Sequence, residues 1–104
     1  MSELINGEFS YPFEVDLDVP RSISVSGTAV ISYGAERYSK HDDWFVEDIK
    51  VSEMTIERAY DEEGNATGVG SDEVLVLANY LCTQKYDDLV YRAIEDSFER
   101  AFSG

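Results

Sequence analysis

The stretch FSYPFEVDLDV, residues 9–19, decides the fold of this chain, because apolar and polar side chains alternate along it. The apolar side chains fall at odd positions: Phe9, Tyr11, Phe13, Val15, Leu17 and Val19. A period of two is typical of a β-strand with one buried face and one exposed face. Pro20 ends this strand because proline has no N–H to donate, and Pro12 near its start favours a position at the edge of a sheet.

Two more strands are predicted downstream. From residue 23 to residue 33, apolar side chains alternate with serine and threonine, and the polar stretch that follows predicts a loop. The third strand extends over about residues 44–60. Its apolar positions change parity midway, which predicts a β-bulge near Ser52 and Glu53, since a bulge returns the later side chains to the core face. For residues 66–69 the pattern does not decide between a short fourth strand and an irregular connection.

Two helices are predicted in the last third of the chain. The first begins with Ser71 as its N-cap. Its buried face, at spacings of three and four residues, is Val74, Leu77, Ala78 and Leu81. The second helix runs from about Asp87 towards Phe102, and its buried face is Tyr86, Leu89 or Val90, Ala93 or Ile94, Phe98 and Ala101. The sequence therefore predicts one α+β domain over residues 1–104, in which two helices pack on one face of an antiparallel meander of three or four strands (β-β-β-α-α).

The charge of the chain limits its function. Twenty-two acidic residues against eight basic ones give a net charge of -14. This argues against direct binding of nucleic acid, which depends on lysine and arginine. The content of 43% hydrophobic and 12% aromatic residues excludes an acidic disordered tail. Neither a signal peptide nor an apolar segment long enough to span a bilayer is visible, so we expect a cytoplasmic protein that does not contact a membrane.

No catalytic or metal-binding signature is complete. His41 and Cys82 are the only histidine and cysteine, and no local motif marks them as a nucleophile and its base. Several acidic pairs occur, but none has the spacing of a calcium loop. We therefore expect no enzyme activity, no catalytic residue, no cofactor and no metal ion.

The acidic surface is the remaining candidate for a site. If the strands pair in order, the acids of the first strand form one charged row, a neutral serine row follows, and acids of the third strand form a second row. The hypothesis is a mimic of nucleic-acid charge that inhibits a basic nucleic-acid-binding protein. The predicted contact residues are Glu14, Asp16, Asp18, Glu47, Asp48 and Glu57 on the sheet, with Asp42, Asp43, Asp61, Glu62 and Glu63 in the loops.

Two alternatives stay open. The first helix carries no charge from Val74 to Gln84, so it could form a partner or homodimer interface through Val76 and Tyr80, with the acids serving only solubility. The acidic, lysine-poor surface is also what a high-salt cytoplasm selects. In size, charge and lack of a catalytic signature, the chain resembles the small acidic proteins that phages and mobile elements carry to block host defence. The hypothesis of a charge mimic implies a target with a basic DNA channel, such as a restriction enzyme or a CRISPR effector.

Overall fold

Three antiparallel strands precede two helices in this protein. The computed structural model describes the backbone of residues 3–103 and the side chains of residues 3–102. The strands are β1 (Glu3–Leu17), β2 (Ile23–Arg37) and β3 (Phe45–Asp61), and the helices are α1 (Ser71–Gln84) and α2 (Tyr86–Ser103). The strand order is β1-β2-β3, and helix residues pack on one face of the sheet. The predicted β-β-β-α-α fold is confirmed.

The strands are longer than the alternation predicted. β1 and β2 pair in one uninterrupted register, from Glu3 opposite Arg37 to Leu17 opposite Ile23. Fifteen residues at about 3.4 Å each account for most of the 55 Å length of the molecule. The predicted loop after residue 33 is wrong in its first residues, because Ala35 and Arg37 are buried and continue β2. β1 lies at the edge of the sheet, as Pro12 indicated.

Three bulges interrupt β3. The predicted one is confirmed: Ser52 lies between Val51, which pairs with Ile31, and Glu53, which pairs with Val30. The other two were not predicted. In one, Asp48 and Ile49 follow the pair of Glu47 with Gly34, and Asp48 adopts a left-handed φ of 57°.

The third bulge, at Glu57, depends on a glycine in the neighbouring strand. At Gly27 a Cβ atom would lie only 2.1 Å from the Thr55 carbonyl oxygen, so the backbones approach too closely for any side chain. Residues 66–69 form no strand, and a single bridge joins Tyr60 to Ala66.

The core divides along the length of the sheet. At the end that contains the β1–β2 turn, Leu77 and Leu81 of α1 pack on the inner sheet face, together with Leu89 from the start of α2. At the opposite end, Ala93 of α2 packs in a second cluster with Tyr33, Ala35 and Trp44. The two helices therefore follow one another along the sheet.

The ends of two elements differ from the prediction. Val19 is exposed in the turn after β1, where the ladder with β2 has ended. α1 is capped by Gly70, and Ser71 is its first helical residue. The Gly70 N–H donates to the Glu73 carboxylate at 3.0 Å, so Glu73 satisfies a backbone donor at this helix end.

The buried face of α2 was only partly predicted. Leu89, Ala93 and Ser97 are fully buried at spacings of four residues, whereas Tyr86 and Phe98 are exposed. Phe98 lies nine residues after Leu89, which at about 100° per residue places it on the opposite side of the helix. On α1, Val74 and Ala78 are only half-buried beside the buried Leu77 and Leu81.

Candidate functional site

The face of the sheet opposite the helices, which we call the open face, is formed by the even-numbered residues of β1 and β2 and by their partners in β3. Directly paired residues in an antiparallel sheet share a face. Each step of two residues along β2 therefore defines a row of three side chains across the open face. In chain order along β2, the rows are Asp16-Ser24-Tyr60, Glu14-Ser26-Arg58, Pro12-Thr28-Thr55, Ser10-Val30-Glu53, Glu8-Ser32-Lys50, Asn6-Gly34-Glu47 and Leu4-Glu36-Phe45.

Three acids of β1, Glu8, Glu14 and Asp16, lie on this face. Glu14 and Asp16 are exposed there, and Asp18 is exposed just beyond the end of the strand. The Ser24 hydroxyl donates to the Asp16 carboxylate at 2.6 Å, which orients this acid over the neighbouring strand. Along the middle strand the open face is neutral, with serine, threonine and valine side chains between positions 24 and 32.

The β3 side of the open face is mixed in charge, which corrects the predicted second acidic row. Glu47 occupies this face, but Lys50 and Arg58 also lie on it. Asp48 and Glu57 are at bulges and pair with no β2 residue, so they do not continue a row. The bulges at these two positions were not predicted, and each shifts the register by one residue.

Acids from two parts of the chain meet at the end of the sheet that contains the β1–β2 turn. Ile23 pairs with both Leu17 and Asp61, so the residues after β1 and after β3 flank the start of β2. We call this surface the acidic end. It consists of five exposed carboxylates: Glu14, Asp16, Asp18, Glu62 and Glu63.

Other predicted contact residues lie elsewhere or are already engaged. Asp61 accepts hydrogen bonds from the backbone N–H groups of Glu63 and Asn65, at 3.0 and 2.9 Å, and so holds the turn after β3. Asp42 and Asp43 are exposed in the loop between β2 and β3, at the far end of the sheet. The structure therefore does not bring the two predicted groups of loop acids together.

Arg21 lies beside the acidic end, but its guanidinium is hydrogen-bonded to Glu73 of α1 and to the segment that precedes α1. Its Nε donates to Glu73 at 2.8 Å, and its guanidinium also donates to the Thr67 hydroxyl at 3.1 Å and the Gly68 carbonyl at 2.6 Å. The hydrogen bond from Arg21, together with that from the Gly70 N–H, lowers the pKa of Glu73. Arg21 therefore fastens the β1–β2 turn to the start of α1.

A second polar cluster, centred on Tyr33, joins α2 to the sheet. The Tyr33 hydroxyl donates to Asp96 at 2.5 Å, and Arg100 Nε donates to the same carboxylate at 2.6 Å. The Ser97 hydroxyl donates to the Ala93 carbonyl and lies 3.3 Å from the Tyr33 oxygen. Burial, and then the Asp96 hydrogen bond, raise the pKa of Tyr33, so this phenol keeps its proton.

The space for the Tyr33 ring comes from a glycine. A Cβ atom at Gly7 would lie 2.5 Å from the Tyr33 hydroxyl oxygen and 2.8 Å from Arg100 Nε. Sequence reasoning missed this cluster because Gly7, Tyr33 and Asp96 are far apart in the chain. The spacing of Asp96 and Arg100 by four residues is typical of an ion pair along one helix, but it does not indicate that Tyr33 joins them.

The residues of the alternative interface lie against the core. Val76 and Tyr80 are half-buried and pack on the cluster around Leu77 and Leu81. The outward side of α1 instead presents Leu75 and Asn79. His41 is exposed in the loop between β2 and β3, Cys82 is half-buried in α1, and no hydrogen bond joins them.

Neither a metal cluster nor a membrane helix is found in the described part of the chain. Across residues 3–103, no three histidine, cysteine or acidic side chains are grouped so that they could hold a metal ion. Over the same residues, neither helix is long and apolar enough to cross a membrane. No protein-family model, curated protein or solved structure matches the chain.

Proposed function

We propose that this protein is a non-catalytic inhibitor that binds the basic nucleic-acid groove of another protein. Its carboxylates take the positions that phosphates occupy in the natural ligand of the groove. The observation that carries this proposal is the acidic end: five exposed carboxylates, from two separate segments, gather at one end of the sheet. A target with this kind of groove would be a DNA- or RNA-binding protein such as a restriction enzyme or a CRISPR effector.

The spacing of the acidic end supports phosphate mimicry. Glu14 and Asp16 are two residues apart on one strand, which corresponds to about 6.8 Å. This is of the same order as the separation of phosphates along a nucleic-acid strand. The ends of β1 and β3, at Leu17 and Asp61, both pair with Ile23 and are therefore two strand spacings apart, about 10 Å. Serine side chains at positions 24 and 26 form the neutral floor between these two sides.

The low content of free positive charge also supports the proposal. Arg21 forms an ion pair with Glu73. Arg58, which pairs with Ser26, is then the basic residue on the open face between β1 and the acidic turn after β3. A surface of this sign would attract a basic groove from a distance and accelerate association at low salt.

The first experiment identifies the partner. The protein, immobilised on beads, is exposed to host lysate at low and at high salt, and captured proteins are identified by mass. We expect one dominant nucleic-acid-binding protein at low salt, which DNA or RNA displaces. A partner that resists high salt and ignores nucleic acid would contradict the mimic.

A pair of variants then tests the position of the site. Asp16→Lys with Asp18→Lys changes the charge of the acidic end, and Asp42→Lys with Asp43→Lys makes the same change of net charge at the far end. We expect the first pair to lower the association rate constant for the captured partner by about tenfold or more and to flatten its salt dependence. The second pair should have a much smaller effect. Equal effects would show that net charge alone governs binding and would overturn the site.

A further inference from the structure

Three exposed aromatic side chains line one side of α2. Tyr91, Phe98 and Phe102 are 64%, 45% and 95% exposed. Their separations of seven and four residues place them within about 40° of one another around the helix, at 100° per residue. We call this surface the aromatic stripe, and it extends over about 16 Å of helix.

The stripe is continuous and faces away from the core. Half-buried Ile94 lies three residues after Tyr91 and four before Phe98, so it connects the two aromatic side chains. The buried residues Leu89, Ala93 and Ser97 occupy the opposite side of α2. Phe98 therefore contributes little to the core, and a continuous exposed apolar surface of this kind is typical of interaction sites.

The charge around the stripe limits what can cover it. Glu95 and Asp87 are exposed on α2 near the aromatic side chains. Both arginines of this helix are turned towards the edge of β1: Arg92 donates to the Ser10 carbonyl at 3.3 Å, and Arg100 donates to the Glu8 carbonyl at 2.8 Å. The stripe is thus an apolar surface with acidic neighbours, and the bases of its own helix are withdrawn from it.

This distribution argues against a second copy as the occupant. A homodimer through α2 would bring two chains of net charge -14 together and would place acidic neighbours against each other. An anionic lipid surface would be repelled for the same reason. A cationic partner has the complementary charge.

We propose that the aromatic stripe docks a basic amphipathic helix of a partner protein. Such a helix would place apolar residues at spacings of three, four and seven against Tyr91, Phe98 and Phe102, and lysine or arginine beside Glu95 and Asp87. Phe98, at the centre of the stripe, is the main anchor. This site lies on the helical side of the molecule and does not depend on the acidic end.

The test uses a synthetic probe. A fluorescein-labelled peptide of about 18 residues, with leucine on one helical face and lysine elsewhere, spans the stripe with about five turns. A scrambled peptide of the same composition, whose leucines do not align, is the reference. Fluorescence anisotropy should give an affinity for the amphipathic peptide about tenfold higher than for the scrambled one. Equal affinities would show that only net charge attracts the probe and would overturn the proposal.

Matched variants locate the binding surface without changing net charge. Phe98→Ser with Phe102→Ser should weaken peptide binding by about tenfold. Tyr38→Ser with Phe45→Ser removes two exposed aromatic side chains elsewhere and should leave the affinity unchanged. Circular dichroism checks that both variants are folded. Equal weakening in both would contradict the assignment.

Two further outcomes would also overturn the proposal. If sedimentation reveals a dimer that the Phe98 and Phe102 changes dissociate, a second copy is the occupant. Alternatively, the protein could bind phosphatidylcholine vesicles through the same residues, which would assign the stripe to lipid.

Discussion

Glu73 shows how one carboxylate can connect three parts of the chain. It is 6% exposed, accepts two hydrogen bonds from Arg21 and caps α1 through the Gly70 N–H. It lies in the first turn of α1, where the unpaired backbone N–H groups favour a negative charge. The position at the helix start explains why a negatively charged side chain is favourable there. It does not explain why the carboxylate is buried, which depends on Arg21, fifty-two positions earlier.

The lowered pKa of Glu73 predicts a pH dependence. A carboxyl group whose pKa is lower in the folded state contributes stability above its unfolded value, near 4.5, and this contribution is lost as pH falls through the folded value. Glu73→Gln should therefore lower Tm by several degrees at about pH 6, and the difference from the parent protein should shrink towards about pH 3.

Glu62→Gln is the control for Glu73→Gln, because Glu62 is an exposed acid in the nearby turn. Thermal melts followed by circular dichroism at each pH measure the difference between variant and parent. A Glu73→Gln deficit that stays constant from about pH 6 to about pH 3 would contradict the role of the ionised carboxylate.

At the scale of elements, the bulges of β3 decide which side chains reach the open face. β3 uses 17 residues, Phe45 to Asp61, to pair with the 14 residues of β2 from Ile23 to Glu36, and the three extra residues are the three bulges. The hydroxyl of the bulged residue Ser52 donates a hydrogen bond to the Val30 carbonyl at 3.1 Å, and this contact stabilises the bulge. Because Ser52 itself is unpaired, the β3 side chains before and after it lie on the same face of the sheet as their β2 partners.

Deletions in β3 test this view of the register. Removing Ser52 should leave Glu53 opposite Val30 and every side chain on its present face, at the cost of local bending. Removing Thr55, which lies between the bulges at Ser52 and Glu57, should turn Ile56 to the open face and place the Glu57 carboxylate on the core face opposite Gly27. We expect the first variant to fold with a moderately reduced Tm and the second to be unfolded, as measured by circular dichroism. Similar stabilities for the two variants would contradict the register.

At the scale of the whole molecule, the net charge of -14 opposes folding. Close ion pairs such as Arg21–Glu73, Arg37–Glu3 and Arg100–Asp96 engage some of the acidic side chains, but eight basic residues cannot neutralise twenty-two acidic ones. The remaining carboxylates repel each other over an elongated body of 55 × 22 × 18 Å. Self-repulsion of this kind destabilises the compact state until salt screens it.

Salt should therefore stabilise this protein. Raising NaCl from about 10 mM to about 0.1 M shortens the screening length from about 30 Å to about 10 Å, and Tm should rise by several degrees. Neutralising part of the acidic end with Asp18→Asn, Glu62→Gln and Glu63→Gln should raise Tm at low salt and reduce the response to added salt. A Tm independent of salt would show that the acids do not repel each other appreciably.

The sequence by itself determined the fold class, the edge position of β1, the bulge at Ser52 and the presence of both helices. These features depend on local properties: the period of apolar residues, the missing N–H of proline and one change of parity. The positions of Glu14 and Asp16 on the open face followed from the same alternation.

Only the tertiary structure decided the rest. The bulges at Asp48 and Glu57 arise from strand pairing and the close approach at Gly27, so the second acidic row could not be read from β3 alone. Phe98 is exposed because the sheet selects which side of α2 is buried. The loop acids at Asp42 lie a full strand length from the acidic end, since consecutive turns of a meander fall at opposite ends of its sheet.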